Sequence, residues 1–324
     1  MKKKIAILGS TGSIGKSTFE VIKKNKKDFD VMLLSTNNNY KKLISQAKEI
    51  KAKNVLIKNK TYFDKVKKGL KNYSTRIYCG DVSLRKIVNK KLDYTMSAIV
   101  GIAGLQPTID AVKNSKTVAI ANKESIICGW DILFKDAKKN KTKILPVDSE
   151  HFSILELTKD IKDKEVEEIL ITASGGPFLK LPYHKLKKVK PKEAIKHPNW
   201  KMGKKISVDS ANLMNKVFEV IEAHKIFNFN KKKYSIIIHP QSYVHSIIRF
   251  KNGLTKMILY NTDMKIPISN AIYENNSYIT PDVRIENLNN LNFQKVNLKK
   301  FPSIKLLKKS FIFSFSAPII VNAA

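Results

Sequence analysis

Short apolar runs alternate with amphipathic stretches through the first half of this chain. Runs of strand length fall at residues 4–8, 31–34, 54–57, 75–79, 94–97, 117–120 and 143–147. Helical periodicity fills the intervals, most clearly at 13–24, 40–50 and 105–114. Strand–helix alternation of this kind predicts an α/β fold, a doubly wound parallel sheet of the Rossmann-like type. The pattern changes after Asp148. Residues 168–172, 234–239, 246–250 and 255–260 read as strands, and 208–226 reads as one helix, so an α+β region should follow. From about Tyr278 the chain turns rich in Asn and Lys and reads as loop, then ends on the apolar stretch 310–321. Three parts are expected: a dinucleotide-binding domain at 1–147, a catalytic domain at 148–279, and a tail at 280–324.

Composition narrows the class. At 324 residues with 43% hydrophobic positions, the chain supports two cores. No apolar run reaches the roughly 18–20 residues of a membrane helix. Cys79 and Cys128 are the only cysteines, without pairing spacing, as in a reducing cytoplasm. Lys and Arg total 61 against 27 Asp and Glu, a net charge of +34. Nucleic-acid binding is the sharp reading of that charge. The lysines, however, are scattered over nearly every polar segment, with no aromatic-interleaved basic motif. The charge reads as compositional, with no specific nucleic-acid partner, and as an aid to an anionic substrate.

The first strand runs into Gly9-Ser10-Thr11-Gly12-Ser13-Ile14-Gly15 and then a helix. Such glycines let backbone approach a pyrophosphate that rests on helix N-terminal N–H groups. Gly15-Lys16-Ser17 does not make a nucleotide-hydrolase loop, because Ser10 stands where that motif needs glycine. The second strand ends in Thr36-Asn37-Asn38-Asn39 without the acid that holds an NAD ribose. NADPH is therefore expected over NADH, with Lys41 and Lys42 close enough in sequence to help hold a 2′-phosphate.

Candidate chemistry gathers in three further places. Asp148 and Glu150 would share one side of an extended segment, and two crowded carboxylates with no Cys or His set suit Mg²⁺ or Mn²⁺. Along the helix opened by Ser210 as N-cap, Asn212, Asn215, Lys216 and Glu219 fall on one face. That face reads either as a solvated Lys–Glu pair or as a phosphate grip with a third metal carboxylate. Thr172–Pro177 offers glycine backbone to an anion, and His197–Gly203 carries Trp200 in a loop built like a lid.

Taken with Ala121–Ser125, Pro146–His151, Ser174–Phe178, Ser207–Glu219 and His239–Ser242, these segments resemble the 1-deoxy-D-xylulose 5-phosphate reductoisomerase family over essentially the whole chain. That resemblance implies an NADPH-dependent, Mg²⁺- or Mn²⁺-dependent cytoplasmic homodimer acting on a phosphorylated sugar, inhibited by hydroxamates such as fosmidomycin. It implies that Thr11, Gly12, Ser13, Ile14, Asn37, Asn38, Asn122, Glu124 and Gly203 bind cofactor. Asp148, Glu150 and Glu219 would hold the metal. Lys123, Ser149, Glu150, Ser174, His197, Trp200, Ser210, Asn215, Lys216 and Glu219 would bind substrate, with Lys123, His197 and the three acids catalytic. Three departures from the family pattern are visible. Asn37-Asn38 replaces a glycine–cation pair, and Phe152 stands where a small residue is usual and is expected to crowd the site. The chain also ends where the family continues into a C-terminal helical domain, which would leave residues 311–321 short of packing partners. A shortened, catalytically impaired relic is the alternative reading.

Overall fold

The computed structural model describes residues 2–200, 203–274, 290–312 and 317–323. Lys201 and Met202 of the expected lid loop, and residues 275–289 at the start of the Asn- and Lys-rich tract, lie outside the described residues. The chain divides into two units: Met1–Asp148 with Met264–Ile279, and Ser149–Asp263 with Thr280–Ala324.

The first unit is a seven-stranded sheet. Its strands are β1 (Lys3–Leu8), β2 (Phe29–Thr36), β3 (Asn54–Ile57), β4 (Arg76–Cys79), β5 (Leu92–Ser97), β6 (Ser115–Ile120) and β7 (Lys143–Pro146), in the order β4-β3-β2-β1-β5-β6-β7. All six pairings are parallel, with the order reversing at β1, so β1 opens the crevice in which such sheets bind ligands. The strands are apolar on both faces, as a sheet covered by helices on both sides requires: Ile5, Ala6, Ile7, Leu34 and Met96 are fully buried. Helices Ser13–Lys24, Tyr40–Ile50 and Leu105–Asn114 form where apolar periodicity predicts them.

Residues 264–274 depart from the expected assignment to the catalytic part. Helix Lys265–Tyr273 clusters with the first unit, burying Ile268 and Ile272. Lys3 Nζ donates to the Ile272 carbonyl at 2.6 Å, and the Tyr273 ring meets Phe29 edge-on at 5.7 Å. A return across so many residues leaves no trace in local periodicity.

The second unit is built on a mixed sheet. Its strands are β8 (Val166–Ala173), β9 (Tyr234–Ile238), β10 (Val244–Phe250), β11 (Thr255–Leu259) and β12 (Gln294–Lys295), in the order β11-β10-β8-β9-β12. Only β8–β9 is parallel. One core packs Ile154, Ile169, Ile171, Val220 and Ile248 together. Leu307 and Phe311 lie against it, and the Phe311 ring meets His224 at 5.4 Å. Residue 311 therefore has the packing partners that the sequence reading expected it to lack. Among the described residues, no helix is long and apolar enough to cross a membrane.

Two local expectations fail. The stretch 208–226 forms two helices, Lys204–Ala211 and Met214–Phe227. Leu213 breaks them with a left-handed φ of 62°, and Asn212 Oδ1 accepts from Met214 N at 2.9 Å, satisfying a donor at the new helix start. Ser210 consequently sits late in the first of these helices and caps nothing. Residues 148–150 are likewise not extended, because helix Ser149–Leu157 starts at once and puts Glu150 in its first turn.

Candidate active site

In the first unit, the turn after β1 is shaped by steric need. Gly9 has φ +81°, and a Cβ there would lie 2.6 Å from the Ala98 carbonyl oxygen. A Cβ on Gly15 would meet the Gly9 oxygen at 2.2 Å, so the third glycine lets the helix start close over the loop. Side chains fix the loop from behind. Ser10 Oγ donates to Gln46 Oε1 at 2.8 Å, Gln46 Nε2 returns a bond to the Ser10 carbonyl at 2.9 Å, and Thr11 and Thr36 hydroxyls pair at 2.6 Å. Helix Ser13–Lys24 starts at Gly12 with no side-chain cap and no acid in its first turn. Its N-terminal N–H groups thus keep their affinity for an anion.

A cavity of about 630 Å³ opens beside this turn, lined by Gly9, Thr11, Gly12, Asn37 and Lys58 among others. Ser13, Ile14 and Asn38 flank these positions without lining it. Lys41 and Lys42 do not line it either. Asn122 Oδ1 caps helix Lys123–Asn140 by accepting from Ser125 N at 2.5 Å, and its amide donates to the carbonyls of Ile99 and Gly101. Its side chain is thus committed to holding the 99–101 loop. Lys123 and Glu124 follow it, both buried.

In the second unit, helix Ser149–Leu157 and helix Met214–Phe227 carry the acids. Lys216 Nζ reaches Glu150 Oε1 and, at 2.7 Å, Glu219 Oε2. Ser149 Oγ donates to Glu150 Oε2 at 2.6 Å, and Asn215 Nδ2 donates to Glu219 Oε1. Glu150 is 7% exposed, Lys216 8% and Glu219 1%, so the solvated-face reading of this helix is wrong. Carboxylate oxygens of Asp148, Glu150 and Glu219 all lie within 4.8 Å of one another. Oxygen-only donors at that spacing fit a hard divalent ion.

The helix bearing Glu150 is held from beneath. Ser246 Oγ donates to the Glu150 carbonyl at 3.0 Å, and the Tyr260 hydroxyl donates to the Ser149 carbonyl at 2.7 Å. His151, fully buried, uses Nε2 to donate to the Glu219 carbonyl at 2.8 Å, so that nitrogen carries a proton. Its Nδ1 stands 4.0 Å from the Glu222 carboxylate. His151, Glu222, Ser246 and Tyr260 were not singled out from sequence. Only the position of His151 directly after Glu150 signals them.

His197 and Ser174 form a second group. His197 Nδ1 accepts from the backbone N–H of Asn199 at 3.2 Å and of Trp200 at 3.0 Å, so it bears no proton. Nε2 then donates to Ser174 Oγ at 3.0 Å, which also accepts from Gly176 N at 3.1 Å. With both acceptor positions filled, the Ser174 hydroxyl is turned to donate outward. Burial, then the charge of Lys216, lowers the His197 pKa from 6.5 to about 4, against an opposing pull from Glu150. Asn199 Nδ2 donates to the Pro240 carbonyl at 2.7 Å and Ser242 Oγ at 2.9 Å, which anchors this loop on the His239–Ser242 turn. Trp200 stands edge-on to His245 at 6.0 Å, His245 stacks on Tyr260 at 4.1 Å, and Phe152 meets Tyr260 at 6.0 Å. The Phe152 ring is taken up by that packing. The Ser210 carbonyl faces Gly176 and requires glycine there, while Gly203 begins helix Lys204–Ala211.

A glycine-turn cavity on a doubly wound sheet and a buried carboxylate cluster beside a lysine define a dinucleotide-binding, metal-site enzyme class. The chain belongs to the 1-deoxy-D-xylulose 5-phosphate reductoisomerase family, as its motifs implied. Family models match residues 5–129, described as 1-deoxy-D-xylulose 5-phosphate reductoisomerase, and 144–227 and 259–324, described as its C-terminal domains. The reductoisomerase of Pelagibacter ubique (strain HTCC1062) is 52% identical over 309 residues, covering 94% of this chain and 80% of that protein. That of Wolbachia pipientis wMel is 41% identical over 328 residues, covering 99% and 83%. The Zymomonas mobilis enzyme in complex with NADPH superimposes with a TM-score of 0.92 at 33% identity, covering 100% of this chain and 84% of that one. A reductoisomerase in complex with NADPH, fosmidomycin and magnesium gives 0.91 at 32%, covering 99% and 82%.

Proposed function

We propose that this chain converts 1-deoxy-D-xylulose 5-phosphate to 2-C-methyl-D-erythritol 4-phosphate, rearranging the skeleton and reducing the resulting aldehyde. The observation that carries the reading is the buried cluster of Glu150, Glu219 and Lys216, with an Asp148 oxygen within 4.8 Å. When bound, Mg²⁺ or Mn²⁺ supplies Lewis-acid stabilisation of developing oxyanions, and NADPH supplies hydride. Asp148, Glu150 and Glu219 are the ion's ligands. Ser149 and Asn215, each bonded to one of those carboxylates, fix their orientation and present polar groups to the substrate.

Lys216 serves the phosphate and substrate oxygens, and the outward hydroxyl of Ser174 donates to the same ligand. His197 stays neutral and sets the direction of that hydroxyl. Lys123 and Ser210 complete the substrate set, and Trp200 excludes water from it. Thr11, Gly12, Ser13 and Ile14 receive the NADPH pyrophosphate at the helix start, and Asn37 and Asn38 border the adenosine ribose. Asn122, Glu124 and Gly203 complete the cofactor set, Asn122 through the loop it holds.

The working form is a cytoplasmic homodimer, with a cofactor-binding domain at 1–147 and a catalytic domain following. Partners are the sugar phosphate, NADPH and the ion, without specific nucleic acid or membrane. The test is loss of NADPH absorbance on adding deoxyxylulose phosphate and Mn²⁺. Turnover abolished by chelator supports the reading. Intact NADPH binding without turnover refutes it and favours the impaired relic.

A further inference from the structure

We infer that Lys58, at the end of β3, is the residue that recognises the 2′-phosphate of the cofactor. The inference rests on the cavity beside Gly9–Gly15 being the NADPH site. In a doubly wound sheet the adenosine ribose lies beyond the C-terminal end of the second strand, where an NAD enzyme places an acid and an NADP enzyme a cation. This chain places Thr36, Asn37, Asn38 and Asn39 there, all uncharged. Two of those amides already serve the fold: Asn38 Oδ1 accepts from Asn59 Nδ2 at 2.8 Å, and Asn39 Oδ1 accepts from Lys42 N at 3.2 Å.

The missing charge sits one strand away. β2 and β3 pair in parallel with Thr36 opposite Ile57. The ladder continues past the strand ends, with Lys58 N donating to the Thr36 carbonyl at 2.9 Å and Asn59 N to the Asn37 carbonyl at 3.1 Å. Lys58 is thereby level with Asn37, and both line the cavity. Lys41 and Lys42, the nearer cations in sequence, do not.

Lys58 Nζ lies 3.0 Å from Asp81 Oδ1, whose side chain is 86% exposed and which also borders the cavity. So exposed a pair is weak, which lets a phosphate dianion outcompete the carboxylate while Asp81 keeps the flexible ammonium at the cavity edge. A compact point charge on a long stem suits a phosphate approached from the side. Discrimination between NADPH and NADH thus comes from β3, compensating for the uncharged end of β2.

The experiment is calorimetric titration of the full chain with NADPH and with NADH, in wild type, Lys58→Met, Asp81→Asn and Lys41→Met/Lys42→Met. Because the Lys58 side chain is 50% exposed, Lys58→Met should fold normally, which its melting curve checks. We expect Lys58→Met to weaken NADPH about tenfold to a hundredfold, the worth of a charge-assisted bond. NADH affinity should not change. Asp81→Asn should leave NADPH binding equal or tighter, and the Lys41/Lys42 variant should keep the preference. An unchanged NADPH-to-NADH ratio in Lys58→Met overturns the assignment while leaving the cofactor site standing. Wild type that binds neither cofactor overturns the site reading and this inference together.

Discussion

Lys216 and Glu219 stand one turn apart on the same helix, and their charged groups meet at 2.7 Å with both side chains at least nine-tenths buried. A surface pair of this spacing contributes only a few tenths of a kcal/mol. Buried beside Glu150, the same pair decides whether two carboxylates can face each other at all. Replacing Lys216 with Met leaves both acids without that ammonium. Loss of one partner from a buried charge network costs about 3–5 kcal/mol. Thermal melts should show Lys216→Met far less stable than wild type without metal, and Mg²⁺ should recover more of the loss than it adds to wild type. Melting like wild type in the absence of metal would count against this account.

His151 lies against the backbone of Glu219, and Glu222 faces its other ring nitrogen. The His151 bond to the Glu219 carbonyl ties together the two helices that carry Glu150 and Glu219. Glu222→Gln keeps the volume but changes the group facing His151 Nδ1. Outer partners of ligating groups are worth about tenfold to a hundredfold in metal affinity. A Mn²⁺ titration should show weakening of that size with the circular dichroism spectrum unchanged.

Gly176 permits no side chain. Its φ is +67°, and a Cβ would lie 2.6 Å from the Ser210 carbonyl oxygen. Gly176→Ala should destabilise the chain by more than about 1 kcal/mol, from the backbone alone. It should also displace the N–H that orients Ser174, raising KM for the sugar phosphate more than KM for NADPH. Steady-state kinetics with each substrate varied in turn checks both.

Acid should weaken the fold through two histidines, His245, which is buried, and His197, which is half-buried. Burial lowers the pKa of His197 and of His245 from 6.5 to about 4. Unfolding restores the higher value, so between those limits the unfolded chain binds more protons. The stability they contribute is full above pH 6.5 and is lost as pH falls toward 4. Urea midpoints at pH 7.5 and pH 5 should differ accordingly. The difference should shrink in His197→Gln/His245→Gln.

Sequence periodicity carried most of the first unit, because parallel strands buried on both faces and helices of one apolar stripe both leave local signatures. Helices 13–24, 40–50 and 105–114 have the expected bounds for that reason. The break at Asn212–Leu213 left none, since apolar spacing continues across it and only the backbone of Leu213 changes hand. The burial of Lys216 and Glu219 was equally hidden: a polar stripe reads as solvated until another element brings its own charges to it. Asp148 and Glu150 are legible in the sequence as two crowded acids. They do not share one side of an extended segment, because helix Ser149–Leu157 begins directly after Asp148. The placement of Lys58 level with Asn37 depends on the β2–β3 register, which spacing along one chain does not reveal.

The most direct test of the central claim is Mn²⁺ binding followed by electron paramagnetic resonance in wild type and Glu219→Gln. The three carboxylates predict one ion per chain in wild type, with binding weakened at least tenfold in the variant while its melting curve stays cooperative. Equal Mn²⁺ affinity in the two proteins, or none in wild type, would contradict it.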